Sequence, residues 1–275
     1  MVDQRWPGGA RIAVCLNVMY EQWALGSHPG LGPMGNPLPT GVTDYQALSW
    51  SAYGARTGIW ALLELLARYG SSASVYVSGL LAETAPDSVA AVVEAGHELC
   101  GHAWSQDLML PGLGASEQAE DVARTTAALT GVAGVAPSGW MSPRCTPSDL
   151  TAQLLAGAGY AWTGDVFDAD LPYELKTPNG PIVALPFGLD INDLPMMVRY
   201  GDPGREISAR FHHLLEGLTR EDQLAYIDVT VHAHVAARPV GRIVLVEVLE
   251  EALGAKCWIA TRGALAAAYL GRGSA

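Results

Sequence analysis

The chain has 275 residues, 49% of them apolar and only 16% charged, which suits the core of one large α/β domain. Its formal net charge of −12 argues against nucleic acid or an anionic membrane surface as partner. The acidic residues are scattered, with no acidic tail, and no apolar run approaches the roughly 18 residues of a membrane span.

Four cysteines, Cys15, Cys100, Cys145 and Cys257, lie far apart without a C-x-x-C pair, and the first residues hold no apolar stretch of the secretion-signal kind. The expectation is a cytoplasmic protein with free thiols.

In chain order, residues 11–18 (RIAVCLNV) form an apolar, β-branched run predicted to be a buried parallel strand. Residues 21–46 are dense in Gly and Pro, a loop long enough to serve function or a subunit contact. The spacing predicts a helix over 57–69, a strand over 73–77, and a helix over 84–95 with Pro86 in its first turn. A strand at 98–101 follows, then a helix over 116–130 with Ser116 as cap and Glu117, Glu120 and Asp121 in its first turn. Further strands are predicted at 135–142, 160–164, 182–186, 224–234 and 257–260, and further helices at 148–158, 207–218, 243–253 and 262–270. About seven strand–helix alternations without an internal linker predict a single domain over 1–275: a parallel sheet with helices outside, closed or nearly closed into a barrel.

Chemistry in such barrels sits where strands end. Six polar clusters fall there: Tyr20-Glu21, 102–107, Pro143-Arg144, 165–170, 190–193 and 232–234. Glu21 reads as a base, a metal ligand or a solvated loop residue. His102 and Gln106 have the spacing of a two-histidine zinc pair with the second ligand replaced by an amide, a poor ligand for that metal. His97, on the strand before them, reads as hydrogen-bonded structure. Arg144, in a stiff turn, suits a substrate anion or a carboxylate such as Asp165. His232 is the general-acid candidate, with His234 second by strand period. Asp190 and Asn192 are candidates for polar substrate contacts, and Trp104 and Trp140, with Met19, Trp23 and Trp162, for an apolar pocket wall. No G-x-S-x-G, P-loop or G-x-G-x-x-G follows a strand, which leaves serine hydrolase and nucleotide chemistry without support.

Eight segments in order resemble the polysaccharide deacetylase superfamily (NodB-like, carbohydrate esterase 4), and within it the allantoinase-like and cyclic-imidase-like branch. They are 16–21 (LNVMYE), 53–60 (YGARTGIW), 96–98 (GHE) with 101–105 (GHAWS), 139–140 (GW) with 142–144 (SPR), 170–173 (DLPY), 185–186 (LP) with 192–193 (ND), His232 with Arg238-Pro239, and 258–261. The resemblance implies a distorted (β/α)7 barrel that hydrolyses C–N bonds. In a typical member an Asp pair after the first strand supplies the base and a metal ligand, a His-x-x-x-His pair completes the metal site, and a late His protonates the leaving nitrogen.

Here the base position falls on Met19, the metal carboxylate on Glu21, the first histidine on His102, the second on Gln106 and the late one on His232. The expectation is therefore catalysis by Glu21, His102 and His232 with no cofactor. If a metal such as zinc binds, Glu21 and His102 are its ligands, and Asp107 is a possible substitute. His102 would stabilise the oxyanion. The expected substrate is a small cyclic amide, imide or ureide, or a small amide to be deacylated. The alternatives are non-hydrolytic isomerisation, elimination or cyclisation of a small metabolite, or a binding protein with a decayed site. By resemblance, a homo-oligomer is expected.

Overall fold

The computed structural model describes residues 5–24, 26–30, 32–34, 38–39, 41–202, 204–221 and 223–272. Strand β1 (Ile12–Tyr20) is buried along its whole length, and α1 (Tyr45–Tyr53) runs through a π-helical turn at Gly54–Gly58 into α2 (Ile59–Arg68). Then come β2 (Ser74–Val77), α3 (Leu81–Thr84), α4 (Pro86–Glu94), β3 (Glu98–Gly101) and α5 (Ala115–Ala133). They are followed by β4 (Gly139–Trp140), α6 (Thr151–Gly157), β5 (Trp162–Thr163), β6 (Tyr173–Thr177) and β7 (Gly180–Ala184). The chain ends with α7 (Arg205–Glu221), β8 (Ala225–His232), α8 (Pro239–Gly254), β9 (Trp258–Ala260) and α9 (Arg262–Arg272). None of the helices among the described residues is long and apolar enough to cross a membrane.

The sheet runs β6-β7-β5-β4-β3-β2-β1-β8, with β9 on β1, and every pairing is parallel except the β6–β7 hairpin. It curls into the distorted barrel of the expectation but does not close by strand pairing. Beyond β7, an isolated bridge, Asn192–Thr230, pairs backbone with β8. The sequence pattern also overestimates two strands. Residues 135–142 and 160–164 pair only at Gly139–Trp140 and Trp162–Thr163. It misses the β6–β7 hairpin, whose first strand alternates between half-buried and exposed positions at the sheet margin.

Period-2 alternation divides the apolar residues between two cores. On β1, Ile12, Val14, Leu16, Val18 and Tyr20 face the helices, packing with Leu62, Leu65, Leu66, Val92 and Phe211. Ala13, Cys15 and Met19 face the barrel interior, with Tyr76, Cys100, Met141 and Trp162. The same alternation turns Asp228, Thr230 and His232 of β8 inward, because Ile227, Val229 and Val231 belong to the helix-side core. Interior positions at strand ends therefore meet above the interior core.

The gap between β7 and β8 is spanned by Arg262, the first residue of α9, which is fully buried. Its Nη1 donates to both carboxylate oxygens of Asp228 at 2.7 Å, and its Nη2 donates to the carbonyls of Leu185 and Pro186. Asp228 also accepts from Asn17 Nδ2 at 2.9 Å and from the Gly188 amide at 2.8 Å. Lower in the barrel, Glu98 accepts from Ser74, Ser138, Trp162 and the Gly263 amide, tying β2, β3, β5 and α9 into a floor.

Close approach requires glycine at several positions, Gly58 and Gly139 among them. A Cβ at Gly58 would lie 1.8 Å from the Ala233 carbonyl oxygen, so the π turn can press against the segment after β8 only without a side chain. A Cβ at Gly139 would lie 1.9 Å from the Trp162 ring.

The loop after β3 is fixed from the helix layer. Asp121 of α5 accepts the Trp104 amide at 3.0 Å, and Arg124 stacks 3.4 Å over the Trp104 ring. Burial raises Asp121 to about 6, against the opposing pull of the Trp104 bond and the Arg124 charge, and its second oxygen has no hydrogen-bond partner.

Two consequences are measurable by denaturant unfolding. Arg262→Met strands the Asp228 carboxylate and should cost roughly 3–5 kcal/mol, whereas Arg262→Met with Asp228→Leu should recover much of it. Asp121 is raised on folding, so its protonation contributes stability that is present below the usual aspartate range and lost as pH rises through about 6. The stability of the wild type minus that of Asp121→Asn should therefore fall by roughly 2–3 kcal/mol between pH 4 and pH 6. A pH-independent difference would contradict it.

Candidate active site

Each site residue occupies an inward position at or just past a strand end. Glu21 follows β1, His102 follows β3, and His232 and His234 close β8. Glu21 Oε1 lies 3.5 Å from His102 Nε2 and 4.0 Å from His232 Nε2, and Oε2 lies 3.7 Å from His234 Nδ1. The expected trio of Glu21, His102 and His232 is thus brought together, with His234 as a third imidazole around one carboxylate. Glu21 is 10% exposed at its side chain and the three rings 7% or less, so the cluster is nearly sealed.

Each ring is oriented differently. His102 Nδ1 bonds the Met141 carbonyl at 2.7 Å, which fixes the proton on Nδ1 and leaves Nε2 as an acceptor when the ring is neutral. His232 Nδ1 bonds Asp193 Oδ1 at 2.6 Å, while Asp193 Oδ2 accepts the amides of His232 and Ala236 at 2.8 and 2.9 Å. Burial opposes charge on His232, but Asp193 and Glu21 outweigh it and raise its pKa. His234 is pushed down to about 4 by burial, against the charge of Glu21. Burial alone would raise Glu21 too. The charge of His232, the His102 contact and the other imidazoles prevail and hold it near 2.

Gln106 settles into the loop instead of the cluster. Its Nε2 donates to the His102 carbonyl at 2.9 Å and to Ser78 Oγ at 3.1 Å, and Ser78 also accepts the Gln22 amide. Asp107, the possible substitute ligand, accepts the Ala24 amide at 2.8 Å. Among the described residues no group of three His, Cys, Asp or Glu is spaced to hold a metal ion. Gln106 and Asp107 are thus bonded within the loop and do not join Glu21 and His102 as further ligands. His97 is structural, as read from sequence, with Nδ1 accepting the Ala73 amide at 3.2 Å.

The other expected contacts are mostly not brought to the cluster. Trp104 turns away because Ala103 takes a left-handed backbone (φ 55°), and its ring packs between Gly79 and Arg124. Trp140 faces the helices, edge-on to Tyr160 and over Gly101. Asp190 is exposed and lines a cavity of about 410 Å³ at the β7–β8 gap, with Phe167, Phe187, Leu218 and Glu221. Asn192 accepts the Leu194 amide at 3.1 Å. Asp165 does not pair with Arg144; it accepts the amide and hydroxyl of Ser142 at 2.8 and 2.7 Å, and burial raises it to about 6. That grip anchors a turn in which Arg144 and Cys145 both have positive φ (54° and 52°), and the Arg144 side chain is exposed.

Sequence reasoning selected Asn192 and passed over its neighbour Asp193, which is 1% exposed and orients His232. Asp193 stood in the 190–193 cluster and beside Asn192 in the family-like segment, but was given no role. His234, two residues beyond His232, was named by the period-2 rule as the second choice, and it does reach the cluster.

The polysaccharide deacetylase family model matches residues 50–162. The chain is 24% identical over 225 residues to a peptidoglycan deacetylase of Helicobacter pylori, covering 70% of this chain and 76% of that one. Its structure is similar to that of a probable polysaccharide deacetylase from Pseudomonas aeruginosa PAO1, with TM-score 0.86, 26% identity, and coverage of 96% and 92%. It is equally similar to the Puue allantoinase, with TM-score 0.86, 24% identity and the same coverage. Together with the ordered strand-end motifs, these likenesses identify a polysaccharide deacetylase (NodB-like, carbohydrate esterase 4) domain at residues 50–162 and the fold of such proteins over nearly the whole chain.

Proposed function

We propose that this chain hydrolyses a C–N bond of a small cyclic amide, imide or ureide without a metal ion. The observation that carries this reading is the near-sealed carboxylate of Glu21 facing three imidazoles, one of them with its pKa raised by Asp193 and Glu21. Such enclosure favours a small substrate over a polymer chain. The fold shared with an allantoinase is consistent with this choice.

In this reading water adds to the substrate carbonyl, its oxygen bonding to carbon as the C=O electrons move onto the carbonyl oxygen. Glu21, held near 2, is by itself a weak proton acceptor. His102, turned by its bond to Met141 so that Nε2 faces Glu21 Oε1, orients that carboxylate. Glu21 takes the water proton. The C–N bond then breaks as the electrons return, and His232 gives its Nε2 proton to the departing nitrogen. Asp193 keeps His232 oriented and charged for that transfer. The products are a carboxylic acid and an amine or amide nitrogen carrying the added proton. Arg144, exposed in its strained turn, would bind an anionic group on the substrate.

Turnover of succinimide, hydantoin and dihydrouracil tests this. Glu21→Gln and His232→Ala should each lower kcat by a factor on the order of 10²–10⁴; full activity in both would contradict it. His232 must be protonated to act, so activity should fall as pH rises through its raised pKa. Asp193→Asn removes one raising charge and should move that basic limb to lower pH. An unmoved limb would remove His232 from the acid role.

A further inference from the structure

His234 is 2% exposed, and its Nδ1 has no hydrogen-bond partner. Buried polar atoms are almost always bonded, so an orphan of this kind calls for an explanation. Glu21 Oε2 lies 3.7 Å away, beyond hydrogen-bond range but within the same site. The ring cannot swing freely toward it. Trp23 and Trp50 meet it edge-on at 5.4 and 4.6 Å, and Gly54 lies so near that a Cβ added there would touch the His234 Cβ at 3.6 Å. Its own carbonyl accepts Arg238 Nε at 3.2 Å, which fixes the backbone as well. The nitrogen is thus aimed at the reacting space and held there.

Burial keeps this ring neutral, so it carries one N–H. With the Glu21 carboxylate opposite Nδ1, placing that proton on Nδ1 is electrostatically better than setting a lone pair against the anion. The result is an oriented, uncharged N–H donor with no protein acceptor, beside the carboxylate that activates water. His102 cannot supply such a donor while neutral, since its N–H is committed to Met141.

Resting on the hydrolytic reading above, we infer that His234 is a further catalytic residue, whose Nδ1–H donates to the substrate carbonyl oxygen as that oxygen gains charge. It takes and releases no proton. The C=O electrons move onto an oxygen that already faces this donor, and they return when the C–N bond breaks. A rigid donor already in place needs no reorganisation as charge develops, which is how a preorganised oxyanion contact accelerates acyl transfer.

Two substitutions separate this role from packing against the tryptophans. His234→Phe keeps an aromatic ring between Trp23 and Trp50 and removes the N–H. His234→Gln keeps a neutral donor. With succinimide, hydantoin and dihydrouracil as probes, His234→Phe should lower kcat about 10²–10³-fold with KM little changed and an unshifted Tm. His234→Gln should recover at least a tenfold part of the loss. A His234→Phe rate within threefold of wild type would overturn the inference, and so would His234→Gln no better than His234→Phe. A readout independent of turnover is the imidazole nitrogen spectrum of 15N-labelled wild type with saturating succinimide. The His234 Nδ1–H resonance should shift. If His102 and His232 respond and His234 does not, this inference fails while the hydrolytic reading stands. If no imidazole responds and no probe is turned over, the hydrolytic reading fails and carries this one with it.

Discussion

A single buried guanidinium holds the barrel in shape. The sheet does not close on itself, and β7 and β8 are joined across their gap chiefly by Arg262, which grips the Asp228 carboxylate and two carbonyls past β7. An isolated ion pair at such depth would cost more in lost hydration than it returns. Here the cost is offset because Asp228 also accepts from Asn17 and Gly188, so both its oxygens are fully used. Asp228 sits on the same strand and the same face as His232. The pair that sets the spacing of the seam therefore also sets where the late histidine emerges.

From that frame the site follows by strand period. β1 and β8 run side by side with Met19 opposite His232, so the next inward positions, Glu21 and His234, face each other. His102 arrives from β3 by the same rule and is locked by the Met141 carbonyl. What distinguishes this chain from the family pattern is how the freed positions are used. Met19, at the base position, packs into the interior core, and Gln106 braces the loop that carries His102. One carboxylate with three differently bonded imidazoles remains. One imidazole is bonded to the Met141 carbonyl, one is held by Asp193 with its pKa raised, and one has its pKa lowered by burial.

Much of this was legible in the chain. Alternating apolar positions reveal the strands, and their polar ends reveal Glu21, His102 and His232. The failures have particular causes. Trp104 sits two residues past His102 and by period would face the site, but the left-handed turn at Ala103, invisible in residue type, sends its ring to the helices. Trp140 lies on a strand of only two paired residues, too short for alternation to show which face it takes. Asp193 was hidden beside Asn192 because its partner, the ring and amide of His232, is 39 residues away in sequence. The acidic run 165–170 looked like one substrate loop. In the fold Asp165 is an internal brace for Ser142, while Asp168 accepts the Tyr173 hydroxyl.

The central claim is hydrolysis by side chains alone. It is tested most directly by turnover in 18O-enriched water with protein dialysed against a strong chelator. The probes are succinimide, hydantoin and dihydrouracil, and product is read by mass. The expected result is one 18O atom in each new carboxylate, at a rate unchanged by the dialysis. Product without label, or activity that disappears on dialysis and returns with added zinc, would contradict it.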